Sequence, residues 1–188
     1  MTLIIGYVGK DKSYIASDSM GSNGYSGSIY KNKKIFMIGD DILAGGCGSY
    51  KELQLLEKDF TPPKRNVGES ASGYMYNQFA HALKKFFKEH ETLRNKDGVI
   101  DNMRSEFIFI YEGSIYKWQG DLALLETVLP YDTTGSGEVY AHAVMATFEN
   151  AKSDLSVEDR LKLAIDLTSD YIVSVGGKHD ILIMDNKK

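Results

Sequence analysis

The second residue of the chain is a threonine, Thr2, directly behind Met1 and at the head of the apolar run Thr2-Leu-Ile-Ile-Gly-Tyr-Val-Gly9. Removing one methionine would make it an N-terminal threonine. Such a residue carries a hydroxyl nucleophile and, on the same backbone, an amine able to take the hydroxyl proton. An α-amino group has an ordinary pKa of about 7.7 to 8.0, so an appreciable fraction of it is neutral near neutral pH, and a neighbouring cation would favour the neutral form further. A threonine at position 2 is common, so the argument depends on what accompanies it. Four further segments carry polar groups: Ile15-Ala-Ser-Asp18, Lys33-Lys34 at the start of an apolar run, Gly45-Gly46-Cys47-Gly48-Ser49, and Gly135-Ser136-Gly137 with Tyr140-Ala141 behind it. Each also has a plain structural reading. Asp18 could cap a turn, Lys34 could flank a strand on a solvated face, the glycines could ease a tight turn, and Ser136 could N-cap a helix.

Composition narrows the classes. With 188 residues, 43 % of them hydrophobic, the chain fits one domain with a core of two or more layers, and residues 185–188 read as a short polar tail. A net charge of -4, with no basic block beyond the pairs Lys33-Lys34, Lys84-Lys85 and Lys187-Lys188, argues against a nucleic-acid groove. The single cysteine, Cys47, leaves no intramolecular disulfide and no cysteine-rich zinc site. No apolar run reaches the roughly 18 residues of a membrane span, and the N-terminus lacks the features of a signal peptide, so the expectation is a cytoplasmic protein. His81, His90, His142 and His179 are scattered without metal-ligand spacing, and no metal site is expected from side chains.

The elements that must position these residues follow from periodicity. Short strands are predicted at Leu3 to Val8, Ser13 to Ala16, Lys34 to Ile38 and Ile42 to Gly46, pairing as two meanders, with a Gly/Ser-rich surface loop from Ser19 to Ser28. Leu53, Leu56 and Phe60 mark a short helix that Pro62-Pro63 stops. A longer helix from about Glu69 to His90 places Tyr76, Phe79, Ala80, Leu83 and Phe87 on one face. After an Asn95 to Gly98 turn, Glu106 to Tyr111 and Ser114 to Trp118 form a hairpin around Glu112-Gly113. Two helices follow, one from Gly137 through Phe148 and one opened by the capping box Ser156-Val-Glu-Asp159 and running through Ile172. The strand Asp180 to Met184 comes last. There is no regular strand-helix-strand alternation, so two sheets with helices on both outer sides fit this order.

The order and spacing of Thr2, Asp18, Lys34, the Gly45 to Ser49 turn and Ser136 resemble the proteasome β-subunit and HslV-type threonine peptidases, members of the N-terminal nucleophile hydrolases. The resemblance spans nearly the whole chain and implies an α+β fold, a four-layer α-β-β-α sandwich of two antiparallel sheets. By that resemblance Thr2 is the nucleophile once Met1 is gone, Lys34 the catalytic lysine and Asp18 the aspartate that pairs with it. Gly48 offers its backbone N–H to the developing oxyanion, with Gly46 the alternative, and Ser136 hydrogen-bonds the terminal amine. Asp170-Tyr-Ile-Val-Ser174-Val-Gly-Gly177 loosely resembles the supporting Asp, Ser and Gly-Gly pattern with one extra residue, which makes Asp170 and Ser174 candidate supporting residues. Met20, Ser22, Gly46 and Cys47 are candidates to line the pocket for the residue before the cleaved bond, with a small or apolar preference.

The same resemblance implies homo-oligomeric rings of six or seven subunits, stacked in pairs around enclosed sites. It also implies a ring ATPase of the AAA+ type that feeds in polypeptide substrate. No cofactor is required for the chemistry, although bacterial members of the family often hold a monovalent cation near the Asp170 to Gly177 segment through backbone carbonyls. No nucleotide-binding Gly-x-x-x-x-Gly-Lys-Ser/Thr motif is present, so an ATPase would be a separate chain. Two rivals stand beside the peptidase: a catalytically silent, ring-forming structural or binding protein, which a retained Met1 would favour, and a small-molecule amidase of the same superfamily that forms no rings.

Overall fold

The structure is a computed structural model and describes residues 2–23, 25–96 and 100–186; Met1 and part of the expected Asn95 to Gly98 turn lie outside the described residues. The strands in chain order are β1 (Leu3–Val8), β2 (Lys12–Asp18), β3 (Met20–Ser22), β4 (Gly27–Ile29), β5 (Ile35–Ile38), β6 (Ile42–Cys47), β7 (Arg94–Lys96), β8 (Ile100–Asn102), β9 (Glu106–Tyr111), β10 (Ser114–Trp118), β11 (Leu124–Glu126), β12 (Tyr131–Gly135) and β13 (His179–Asp185). The helices are α1 (Tyr50–Lys58), α2 (Ala71–Tyr74), which runs through a π-helical turn (Met75–Phe79) into α3 (Ala80–Glu89), then α4 (Glu138–Asn150) and α5 (Val157–Ser169).

Two antiparallel sheets, ordered β12-β1-β2-β13 and β11-β10-β9-β6-β5, stack face to face. The period-two alternation of each strand assigns its residues to one of two cores. In β1, Leu3, Ile5 and Tyr7 face α4 and α5 with Met145, Leu161 and Ile165, whereas Ile4 faces the other sheet. In β9, Phe107, Phe109 and Tyr111 face α1 to α3 with Leu53, Phe79 and Leu83, whereas Ile108 and Ile110 face inward. The layer between the sheets is built from Ile4, Ile15, Ile35, Leu43, Ile108, Ile110 and Ile115, each contributing about 1.5–3 kcal/mol by burial. Four layers therefore result, helix, sheet, sheet, helix.

Several elements depart from the sequence-based expectation. The Ser19 to Ser28 loop contains the hairpin β3–β4, and β11 and β12 appear where no strand is predicted. The π turn rotates the second helical face, so Tyr74 and Met75 enter the core, while Tyr76 stays 38 % exposed and packs edge-on against Tyr116. The fifth helix ends at Ser169, short of Ile172. Ser156 does N-cap the helix, its Oγ accepting from the Asp159 N–H at 3.1 Å and donating to the Asp159 carboxylate at 2.6 Å. Nor does a tail begin at 185. Asp185 closes β13, and Asn186 donates from its backbone N–H to the Asp11 carbonyl at 2.8 Å and from its side chain to the Gly9 carbonyl at 2.9 Å.

Candidate active site

Thr2 precedes β1, whose first residue, Leu3, pairs with Gly135 at the end of β12. That register sets Thr2 against the turn leading into α4, and Thr2 is buried there. A Cβ at Gly135 would lie 2.1 Å from the Thr2 carbonyl oxygen, and Gly135 has φ +103°, so only glycine allows this approach. The Thr2 N–H donates to Ser136 Oγ at 3.2 Å; that hydroxyl also lies 3.3 Å from the Thr2 carbonyl oxygen and 3.1 Å from Ser174 Oγ. The N-cap of α4 is Gly137, with no side-chain cap, so Ser136 faces Thr2 and does not cap the helix.

Asp18 closes β2 and is fully buried, with four donors on its carboxylate. Oδ1 accepts from Lys34 Nζ at 2.7 Å and from the Leu3 N–H at 2.9 Å; Oδ2 accepts from the Gly176 N–H at 3.1 Å and the Met20 N–H at 3.2 Å. Lys34, only 2 % exposed, spends a second proton on the Met20 carbonyl at 2.6 Å, leaving one N–H of its ammonium for another partner. Burial lowers the pKa of Lys34, an effect the Asp18 carboxylate opposes. One carboxylate oxygen thus fixes the buried cation relative to the backbone next to Thr2.

Gly46 and Gly48 differ in their surroundings. The Gly46 N–H donates to the Lys34 carbonyl at 3.0 Å, and its face points at the Phe107 ring, where a Cβ would come within 2.4 Å. Gly48 instead lies exposed at the end of β6 with φ +111°, where a Cβ would stand 2.4 Å from the Arg104 carbonyl oxygen. The next N–H, that of Ser49, is already taken by Ser105 Oγ at 2.8 Å.

Not every predicted residue joins this cluster. Ser174 does, through Ser136, but Asp170 is the exposed C-cap of α5. Of the four pocket candidates, Ser22 borders a cavity, together with Gly21, Tyr30 and Tyr50. Gly46 faces the Phe107 core, and the Met20 side chain packs over Gly27 and Gly176. The Cys47 thiol, pushed up in pKa by burial, sits 3.6 Å from Thr134 Oγ1. Two contacts near the cluster go unannounced by the sequence: the Tyr30 and Tyr50 rings, which meet edge-on at 5.8 Å over Gly21, and the Gly176 amide that holds Asp18. Tyr50 lies two residues past Gly48, a position that could have drawn attention to it. The Gly176 carbonyl, in the segment where the resemblance implies a cation, already accepts from the Ser19 and Met20 N–H groups at 3.2 and 3.0 Å and so does not present a free ligand. Among the described residues no group of three or more His, Cys, Asp or Glu side chains could hold a metal ion.

No family model and no curated protein matches the chain. Solved structures do. BPH of Thiobacillus denitrificans in complex with epoxomicin superposes with a TM-score of 0.79 at 17 % identity, over 99 % of this chain and 100 % of that one. Eukaryotic HslV from Trypanosoma brucei gives 0.70 at 18 %, over 97 % and 99 %. The Anbu (Gly-1) mutant from Hyphomicrobium sp. strain MC1 gives 0.67 at 18 %, over 98 % of this chain and 82 % of that one. The chain therefore has the HslV-type, proteasome β-subunit-like fold, a four-layer sandwich of two antiparallel sheets between helices.

Proposed function

We propose that this chain is the proteolytic subunit of a ring-forming threonine peptidase, with Thr2 as nucleophile after Met1 is removed. The observation that carries the reading is the double use of Asp18 Oδ1, which ties the Lys34 ammonium to the Leu3 N–H and so holds a buried cation beside the first mature residue. That cation keeps the Thr2 amine neutral and stabilises the alkoxide as it forms. The Thr2 hydroxyl adds to a peptide carbonyl carbon while the amine, oriented by Ser136, takes its proton. The oxyanion is received at the Gly48 N–H, where one preorganised donor is worth about 3–4 kcal/mol. Collapse breaks the C–N bond, the amine passes its proton to the leaving nitrogen, and an ester on Thr2 remains. Water, deprotonated by the same amine, then hydrolyses that ester and returns the proton to the hydroxyl.

On this reading the subunit works in the cytoplasm, in six- or seven-membered rings, on polypeptide delivered by a separate AAA+ ATPase. No helix among the described residues is long and apolar enough to cross a membrane. The test is intact mass before and after epoxomicin, the compound in the Thiobacillus denitrificans BPH complex. The expected result is loss of one methionine followed by a single adduct that Thr2→Ala abolishes. A full-length mass with no adduct overturns the peptidase and favours the silent ring protein.

A further inference from the structure

The ladder between β6 and β9 ends at the pair Cys47 and Glu106, so Gly48 and Ser105 meet just past the last paired residues. Ser105 takes over where the ladder stops. Its buried hydroxyl accepts from the Ser49 N–H at 2.8 Å. A Cβ at Gly48 would lie 2.4 Å from the Arg104 carbonyl oxygen, 2.8 Å from Ser105 Cα and 2.9 Å from Ser105 Oγ, so the Gly48 backbone rests directly on residues 104 and 105. A glycine at φ +111° puts little restraint of its own on the adjoining peptide groups. The Ser105 hydroxyl supplies that restraint, because the N–H it holds belongs to the peptide between Gly48 and Ser49.

Glu106, one residue further on, reaches the other sheet. Thr134 is the register partner of Ile4, which faces the layer between the sheets, and Cys47 follows by two residues Gly45, whose missing Cβ faces Ile4 and Ile15 in that layer. Thr134, Cys47 and its partner Glu106 therefore form a polar end to an otherwise aliphatic layer. Thr134 Oγ1 donates to Glu106 Oε2 at 2.6 Å, the short distance of a hydroxyl on a carboxylate, and the Cys47 thiol lies 3.6 Å from the same hydroxyl. This bond joins β9 of one sheet to β12 of the other. Directly after Thr134 come Gly135 and Ser136, the two residues set against Thr2. Lys117 of β10 adds a second arm to the same turn, donating to the Thr133 carbonyl at 3.1 Å and to the Glu138 carboxylate at 3.0 Å.

Building on the peptidase reading, we propose that Ser105 and Glu106, at the head of β9, are positioning residues that brace the two halves of the active site against each other. Ser105 fixes the turn that offers the Gly48 N–H. Glu106, through Thr134, fixes the turn that holds Thr2. The nucleophile and the oxyanion donor sit on different sheets, and two adjacent residues of one strand set the separation between them. Both act through the backbone of their partners. A misplacement of about 1 Å between reacting groups costs up to about a hundredfold in rate, which is the scale on which such a brace acts.

The test uses the full-length, assembled protein and a tripeptide ending in Leu before a fluorogenic amide. Values of kcat and KM are taken per folded subunit, well below the unfolding transition, and hydrogen exchange is followed by mass spectrometry on the same samples. Ser105→Ala and Thr134→Val each remove one hydroxyl and should lower kcat by about ten- to a hundredfold with KM changed less than about twofold. Exchange should quicken by about tenfold across residues 48–50 in Ser105→Ala and across residues 135–137 in Thr134→Val, the size of one released hydrogen bond. Glu106→Ala should match Thr134→Val, and the double variant should be no worse than either, because both break the same bond. Thr134→Ser and Glu106→Gln, which keep the donor and the acceptor, should restore kcat. A kcat that these substitutions leave unmoved, a loss carried by KM alone, or unchanged exchange in both segments overturns the brace while the peptidase stands. If the parent protein cleaves nothing, exchange decides: faster exchange in the two segments supports the brace and removes the peptidase, and unchanged exchange overturns both.

Discussion

Asp18 is the residue on which the site's geometry depends, because its carboxylate accepts from the Lys34 ammonium and from three backbone N–H groups, those of Leu3, Met20 and Gly176. Asp18→Ala would leave a buried ammonium without its counter-charge, which costs about 3–5 kcal/mol. We expect a loss of that order in denaturant unfolding, with peptide hydrolysis abolished even where the fold persists. The pH dependence of activity follows from the same pair. The Thr2 amine must be neutral, so kcat/KM rises with pH through a value below the ordinary 7.7 to 8.0 or so, because the Lys34 cation favours the neutral amine. Lys34 must stay charged, and burial sets its pKa below 10.5, so the alkaline limb falls before that of a free lysine. A pH profile whose acid limb lies above that of a free α-amine would contradict the assignment. Between the lowered folded pKa of Lys34 and the unfolded 10.5 the unfolded chain binds more protons, so this group makes the protein more stable as pH rises through that window and contributes no slope below it. Asp18, Lys34 and Ser136 were legible in the sequence because their order along the chain matched a known pattern, and Ser174 was within reach of the same pattern. Asp170 was not, because one extra residue changes which side chain leaves the α5 terminus facing inward, and it is exposed there.

At the level of elements, the two hairpins β1–β2 and β9–β10 were legible because apolar residues alternate and turn residues separate the strands. The strand β12, Tyr131-Asp-Thr-Thr-Gly135, was not. Its role is to pair with the backbone of β1, and it contributes only Tyr131 to a hydrophobic cluster, so no periodicity announces it. Yet β12 places Gly135 and Ser136 against Thr2. Gly135→Ala should therefore cost activity out of proportion to stability, since its Cβ would push on the Thr2 carbonyl; kcat/KM and the melting temperature measured on the same sample check this. The stacking of the sheets depends on another glycine. A Cβ at Gly45 would lie 2.8 Å from Ile15 and Ile35 and 2.9 Å from Ile4. Gly45→Val should force the sheets apart and destabilise the fold by about 1–3 kcal/mol or more, measured as a lower unfolding midpoint.

For the whole molecule, the proposed ring makes a demand that the isolated subunit leaves unmet. Val139 and Tyr140 at the start of α4 are exposed beside Tyr171 and Val173 after α5, with Tyr140 and Tyr171 stacked at 5.6 Å, and Val173 is 90 % exposed. Val173 immediately precedes Ser174, whose hydroxyl meets that of Ser136, which in turn holds the Thr2 N–H. A neighbouring subunit seated on Val173 would thus steady the residue that orients the nucleophile, so assembly and activity would be coupled through a single turn of chain. Native mass spectrometry of the mature protein should give species of six or seven 21.0 kDa subunits, or twice those numbers. The double substitution Tyr171→Asp and Val173→Asp should shift it to smaller species with unchanged circular dichroism. Peptide hydrolysis should fall about tenfold or more even though Thr2, Asp18, Lys34 and Gly48 are untouched, a loss of the size expected when a hydrogen-bonded orienting contact is released. A fully active monomer would instead favour the small-molecule amidase reading, in which the fold is kept and the chamber is not.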